Sequence, residues 1–404
     1  MTRLYSRLRR GAAAAVAAGL LVMFVPAETA ESAYSQPTPE PTASASSAFP
    51  PLTPAVTAQL DKAVTQVMRE ANVPGVTVGL WVPGKGHYVR SFGVADKATG
   101  ARMSAGLNMR IGSETKTFTV TALLRLVDQG KVGLDDPIGK YVDGVPNGNR
   151  ITLRELAGMR SGLFNYTMDP GFFKALTTDP RRPFTPQELL AYSFKHPVQF
   201  QPGEKFEYCN TNIILVGLVV EKVSGQPLAE YVKRNVLDPA GLEHTLFPKA
   251  AEFPTPHAHG YTNQTATGKV EDSTDWNPSW AWAAGAMISD LNDLRSWAYT
   301  LATGTLLSPA TQAQRMKMSP SDLPDTGYGL GIFDVAGWIG HNGSLPGYES
   351  LVVYLPEAKA TLVVLLNTDI NYKGSEPSTL FGQAITRIVS PQHIFKLPAQ
   401  PAGQ

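Results

Sequence analysis

The stretch Ile111-Gly112-Ser113-Glu114-Thr115-Lys116-Thr117-Phe118 decides the reading of this chain. Gly112 marks a break, and behind it Phe118, Ala122, Leu123, Leu126 and Val127 share one helical face. Ser113 and Lys116 stand three apart at the start of that helix, so hydroxyl and amine meet without help from the rest of the fold. A serine hydroxyl is a poor nucleophile until a neighbouring base takes its proton. A lysine is that base only where burial or a nearby charge keeps it neutral, because its free pKa is about 10.4. The helix start adds backbone N–H groups suited to a developing oxyanion. Taken alone, the tetrad reads more readily as a solvated first helical turn.

Two further groups lie downstream. Tyr208-Cys209-Asn210 follows Pro202-Gly203 and opens an apolar helix over 213–223. A tyrosine beside a cationic lysine ionises more readily and passes protons, and an asparagine amide holds a substrate carbonyl. The pattern recurs at Tyr261-Thr262-Asn263, but a helix start positions side chains more rigidly than a polar loop, which favours the first triplet. Cys209 reads as a small buried packing residue. His341-Asn342-Gly343-Ser344 comes after a strand signal at Trp338-Ile339 and before Pro346-Gly347. It reads as a strand end where Gly343 lets a substrate backbone approach.

Periodicity extends the picture in both directions. Val56, Leu60, Ala63, Val64, Val67 and Met68 predict a helix capped by Thr53. Residues 76–82 and 87–94 read as a hairpin turned by Pro83-Gly84-Lys85-Gly86. Helices are expected at 153–159, 186–194, 213–223, 228–236 and 291–301, strands at 338–339, 348–354 and 361–366, and a last helix at 377–388. Both ends supply strands and the middle supplies helices. The expectation is an α+β body, an antiparallel sheet flanked by helices, with an inserted all-helical lobe and a site in the cleft between lobes.

Composition narrows the function classes. The 404 residues carry 35 basic and 34 acidic side chains and a formal charge of +1, which argues against a nucleic-acid partner. One cysteine excludes an internal disulfide, cysteine-rich zinc sites and iron–sulfur clusters. His257-Ala258-His259 lacks a supporting carboxylate pattern, so no metal and no cofactor are expected. Trp276, Trp280 and Trp282 read as core, or as an aromatic rim of the cleft. No Gly-x-Ser-x-Gly elbow, dinucleotide fingerprint or phosphate loop is present. Arg3, Arg7, Arg9 and Arg10, the apolar run 12–25 and the small residues after Pro26 read as a signal peptide over 1–33. A Pro/Ser/Thr/Ala linker over 34–53, a hydrolase domain over 54–390 and a tail over 391–404 complete the expected plan. The protein is expected outside the cytoplasm, secreted or extracytoplasmic, with no membrane span once the signal is removed.

Ser113-x-x-Lys116, Tyr208-x-Asn210 and His341-x-Gly343, in that order, resemble the penicillin-recognising serine hydrolases. The likeness runs over about 54–388 and takes in Gly93-Val94-Ala95-Asp96, Leu134-Asp135-Asp136-Pro137, Ile151-Thr152-Leu153-Arg154, Ser161-Gly162-Leu163 and Gly347-Tyr348. It is nearest to the D-alanyl-D-alanine carboxypeptidases of the Streptomyces type, with class C β-lactamases, D-aminopeptidases and esterases close by. The resemblance implies a β-lactamase/transpeptidase-like fold and an acyl-Ser113 intermediate. It implies that Lys116 and Tyr208 manage the proton, that Asn210 holds the acyl-side amide, and that the N–H groups of Ser113 and Ser344 form the oxyanion hole. His341 stands where many relatives carry lysine; protonated it supplies positive field, neutral it partners Tyr208. The implied substrates are cell-wall peptides ending in D-Ala-D-Ala, with penicillins acylating the serine. Two alternatives are an esterase or D-specific peptidase or amidase on the same machinery, and a non-catalytic penicillin-binding or cell-wall sensor module. One departure matters: Asn342 replaces the usual threonine, and no Arg or Lys lies between Lys317 and Lys359 to meet a substrate carboxylate.

Overall fold

The computed structural model describes residues 49–321 and 326–397. The signal-peptide reading, and the linker reading up to residue 48, lie outside the described residues.

The chain opens with α1 (Pro54–Glu70), whose first turn is capped by the Thr53 hydroxyl accepting from the Val56 N–H. The hairpin β1 (Gly75–Val82) and β2 (Gly86–Gly93) follows, in register from Gly75 against Gly93 to Val82 against Gly86. After the two-residue β3 (Met109–Arg110) comes α2 (Thr115–Asp128). Eleven of its residues are buried, the mark of a helix enclosed on every side. Phe118 of α2 stacks on Trp297 with ring centres 4.0 Å apart.

The middle is helical: α3 (Leu153–Ala157), α4 (Pro170–Thr178), α5 (Pro186–Phe194), α6 (Asn210–Ser224), α7 (Leu228–Val232) and the short α8 (Asp238–Ala240). The single helix expected over 228–236 is broken, because a wider turn over Lys233–Leu237 separates α7 from α8. Short strands β4 (Tyr261–Thr262), β5 (Glu271–Asp272) and β6 (Ile288–Ser289) lead into α9 (Leu291–Thr303) and α10 (Pro309–Arg315). The periodicity reading missed α4 and α10, both short and started by a proline.

The chain then returns to the sheet through β7 (Ser319–Pro320), β8 (Thr326–Tyr328), β9 (Phe333–Val335), β10 (Trp338–Leu345), β11 (Tyr348–Leu355) and β12 (Ala360–Leu366), and ends in α11 (Pro377–Val389). The main sheet is antiparallel in the order β2-β1-β12-β11-β10-β9-β8-β7. Every residue of β11 and β12 is buried, so both faces are covered, and α9 and α11 are the helices that touch them. This is the expected α+β architecture, with both chain ends building the sheet.

Two readings change. The strand expected over two residues at Trp338-Ile339 runs to Leu345, so His341 lies inside a strand and not at its end. The first residues of the segment read as a tail pack onto the body: the Phe395 side chain is fully buried, and the Trp338 indole donates to the His393 carbonyl. At the other end Phe49 packs edge-on against Trp338.

Candidate active site

The Ser113 turn is assembled by close backbone approach. A single 3-10 turn, Gly112–Glu114, precedes α2. Gly112 has φ +52°, and a Cβ there would lie 2.7 Å from the Ser344 nitrogen. Across the gap, a Cβ on Gly343 would lie 2.0 Å from the Ile111 carbonyl oxygen and 2.9 Å from the Ser113 nitrogen. Two glycines therefore let the serine turn and β10 meet, bringing the Ser113 and Ser344 amides to the same spot. The sequence reading gave Gly343 to the substrate backbone, whereas its contact here is with the serine turn. The Ser350 hydroxyl, opposite Gly343 on β11, donates to the Ile111 carbonyl at 2.8 Å and locks the approach.

Lys116 Nζ stands 2.8 Å from Ser113 Oγ and donates to the Ala284 carbonyl at 2.8 Å. The side chain is fully buried, and no carboxylate forms a salt bridge with it among the described residues. Burial pushes its pKa well below the ordinary lysine value, which favours the neutral amine. Thr115 and Thr119 bind the same 283–287 segment, accepting from the Met287 N–H and donating to the Ala283 carbonyl. Glu114, between serine and lysine, is also fully buried, so the turn is not a solvated one.

Tyr208 sits at the entrance to α6 with its ring centre 4.9 Å from Lys116 Nζ. Desolvation raises its phenol pKa, a hydrogen bond with Ser113 opposes the rise, and the negative field of Glu376 adds to it. The sequence expectation that the lysine eases its ionisation is reversed: burial outweighs the Ser113 hydrogen bond, and the phenol keeps its proton. Asn210 begins α6; its Nδ2 donates to Thr167 Oγ1 at 3.3 Å and its backbone N–H to Asn165 Oδ1 at 3.1 Å. Cys209 is buried, with its thiol on the Leu163 carbonyl and its pKa pushed up to about 11 by burial, in keeping with a packing role.

His341 is buried on β10. Its Nδ1 lies 2.5 Å from the Asn342 carbonyl and its Nε2 lies 3.1 Å from the Tyr328 hydroxyl. A neutral ring satisfies both, with Nδ1–H donating and Nε2 accepting. Burial first, and the nearby lysine second, lower its pKa to about 3. Of the two states left open by the sequence, the structure takes the neutral one, and it makes Tyr328 the hydrogen-bond partner. The Tyr208 and His341 rings lie 6.0 Å apart. Tyr328 carried no sequence signal, because it reaches the site from β8 through pairing with β9. On the opposite face of β10, Asn342 Nδ2 donates to Glu376 Oε2 at 2.6 Å, and Ser344 is half-buried. β9 pairs with β10 only from Trp338 to Gly340. From His341 onward, among the described residues, the side of β10 away from β11 has no strand partner. An extended substrate can pair with that edge beside Ser113.

The other sequence candidates lie outside this contact network. The Tyr261 hydroxyl accepts from the Lys97 N–H at 2.7 Å, and Thr262 binds Asp369. His257 stacks on Phe253, and His259 binds Asp272 at 2.8 Å. A separate triad, His244, Asp290 and Asp293, places three donors together, but Asp290 caps α9 and binds His244, while Asp293 binds the His244 N–H and Thr245. Trp276 is buried, and Trp280 packs against Phe172. Arg110, three residues before Ser113, is buried with its guanidinium on the carbonyls of Ala251, Thr274 and Trp276.

Similarity to known proteins agrees with this geometry. The chain is 26% identical over 287 residues to PbpX of Bacillus subtilis (strain 168), a protein named for penicillin binding; the match covers 70% of this chain and 68% of that one. A D-stereospecific amidohydrolase from Streptomyces sp. superposes with a TM-score of 0.73 at 29% identity, covering 82% of this chain and 98% of the other. The D-amino acid amidase of Ochrobactrum anthropi SV3, complexed with L-phenylalanine amide, gives 0.72 at 28% identity, covering 81% and 97%. The profile of the Beta-lactamase family matches residues 60–378, a span that holds Ser113, Lys116, Tyr208 and His341. The chain belongs to the Beta-lactamase family, whose members of this type are serine hydrolases.

Proposed function

We propose that the protein hydrolyses amide bonds of small D-amino acid derivatives through an acyl-Ser113 intermediate. One observation carries the mechanism: a fully buried lysine, its pKa pushed well down by desolvation, 2.8 Å from the serine hydroxyl. Neutral Lys116 takes the hydroxyl proton as Ser113 Oγ attacks the substrate carbonyl carbon. The Ser113 and Ser344 N–H groups receive the developing oxyanion. Tyr208 gives its proton to the departing nitrogen as the C–N bond breaks, and the proton held on Lys116 restores the phenol. Water then attacks the acyl carbon with Lys116 as base, and the acid is released with Ser113 reprotonated. Asn210 holds the acyl-side amide.

The choice of D-amino acid amides follows the two proteins of similar fold, a D-stereospecific amidohydrolase and a D-amino acid amidase. The D-alanyl-D-alanine carboxypeptidase reading, with penicillins as acylating agents and cell-wall stem peptides as partners, draws on the penicillin-binding name of the Bacillus relative. It is the second reading because no Arg or Lys lies between Lys317 and Lys359, the stretch that holds β10, to meet a substrate carboxylate. The N-terminal basic and apolar pattern supports export. The test is a panel of D- and L-phenylalanine amides, an N-acyl peptide ending in D-Ala-D-Ala, and benzylpenicillin followed by intact mass. Turnover of the D-amide, lost in Ser113→Ala, is the expected result. Turnover of the D-Ala-D-Ala peptide alone, with a persistent penicillin adduct, would replace the proposal by the second reading.

A further inference from the structure

The open edge of β10 has two unlike sides. His341 and Gly343 face the serine turn and Tyr328, while Asn342 and Ser344 face the start of α11. On that second side the first polar group beyond Asn342 is a carboxylate. Glu376, the residue before α11, is half-buried and accepts from Asn342 Nδ2 at 2.6 Å. Behind it stands Glu349, paired with Ser344 across the β10–β11 register and fully buried. One oxygen of Glu349 accepts the Ser378 N–H at 2.7 Å, and the other is buried without a hydrogen-bond partner. No basic side chain forms a salt bridge with Glu376 or Glu349 among the described residues. Lys373, the next cation along the chain, is exposed and lies over the Tyr372 ring.

In the acyl-serine reading these groups fall on the leaving-group side. Tyr208, the proton donor to the leaving atom in the mechanism above, feels the field of Glu376. A substrate paired along β10 with its carbonyl at the Ser113 and Ser344 amides carries its departing half past Asn342. We propose that Glu376, held in place by Asn342, is a specificity-determining residue that rejects leaving groups bearing a carboxylate and admits neutral or cationic ones. Burial raises the Glu376 pKa above the ordinary carboxylate value. Once ionised, it repels a substrate carboxylate a few ångströms away strongly in a partly desolvated cleft, and among the described residues no salt bridge offsets its charge. The inference rests on the acyl-serine reading. It deepens it by assigning the enzyme to amides, amine-ended peptides or uncharged esters, and by excluding carboxypeptidase action for a reason local to one side chain.

The experiment uses two pairs of substrates, each pair matched except for charge on the leaving group. The first is 3-acetoxybenzoate against 3-acetoxybenzamide, which needs only the acyl-serine machinery. The second is D-phenylalanyl-glycine against D-phenylalanyl-glycinamide, which also needs the D-amino acid preference. In each pair the wild type is expected to favour the neutral member in kcat/KM by about 10- to 100-fold. Glu376→Gln keeps an oxygen for Asn342 and removes the charge, and it should cut that ratio at least tenfold. Should the variant fold poorly, raising salt from 0.05 to 0.5 M on the wild type should narrow the ratio by screening. A ratio near one in the wild type overturns the filter, as does a ratio unmoved by both the variant and salt. A filter seen with the esters but no turnover of either D-phenylalanyl compound overturns the D-amide reading and leaves the filter standing. No turnover of any of the four overturns both.

Discussion

The serine turn and strand β10 hold the two halves of the same site, and they are built in opposite ways. The Ser113–Lys116 contact is local: two residues three apart, one in the 3-10 turn and the other in the first turn of α2, with 2.8 Å between Nζ and Oγ. The groups on β10 depend on distant partners: His341 on Tyr328, Asn342 on Glu376, and Gly343 on the Ile111 carbonyl. The helix supplies the reactive pair by geometry of the chain alone. The sheet supplies the oxyanion amides, the neutral imidazole and the leaving-group surroundings, and only tertiary packing brings them to the serine. Local chemistry is hard to lose by repacking, while assembled chemistry is lost whenever one partner shifts.

The sharpest break of this contrast is on the local side. Ser113→Ala should remove the acyl-enzyme altogether and lower turnover by at least about 10⁴-fold, measured with an activated ester and by intact mass. Residual turnover near wild type would place the nucleophile elsewhere.

On the assembled side, Gly343→Ala tests whether close approach makes the oxyanion site. The added Cβ must push β10 away from the serine turn, so kcat should drop about 10²-fold while the fold survives with a loss of about 1–3 kcal/mol. Activity within threefold of wild type would detach the glycine from the chemistry.

A smaller effect concerns His341 and acid stability. Its folded pKa of about 3 lies below the unfolded value of about 6.5, so the unfolded chain binds the extra proton. Its contribution is full above about pH 6.5 and is lost as pH falls through about 3, at a slope of at most about 1.4 kcal/mol per pH unit. Urea midpoints measured across that window should fall less steeply in His341→Gln. An unchanged slope would mean that the ring protonates in the folded state. Tyr328→Phe removes the hydroxyl donor to Nε2 and should cost about 1 kcal/mol.

The smallest effect is expected at Cys209. Its buried, protonated thiol should resist thiol reagents in the native protein, and Cys209→Ala should change kcat/KM by less than about threefold. Rapid inactivation by a small alkylating agent would contradict the packing role.

The sequence by itself determined what short range can determine. The spacing of Ser113 and Lys116, the apolar helix after Asn210, the β1–β2 hairpin and the split of strands between the chain ends all follow from periodicity and turn residues acting over a few positions. The tertiary structure decided what depends on burial and on partners far along the chain. It extended β10 through His341, chose the neutral imidazole, brought in Tyr328 and Glu376, and kept the Tyr208 phenol protonated beside a lysine whose pKa burial pushes down. The reason is physical: a protonation state depends on solvent exclusion and nearby charge, and both are set by residues that no local pattern in the chain brings together.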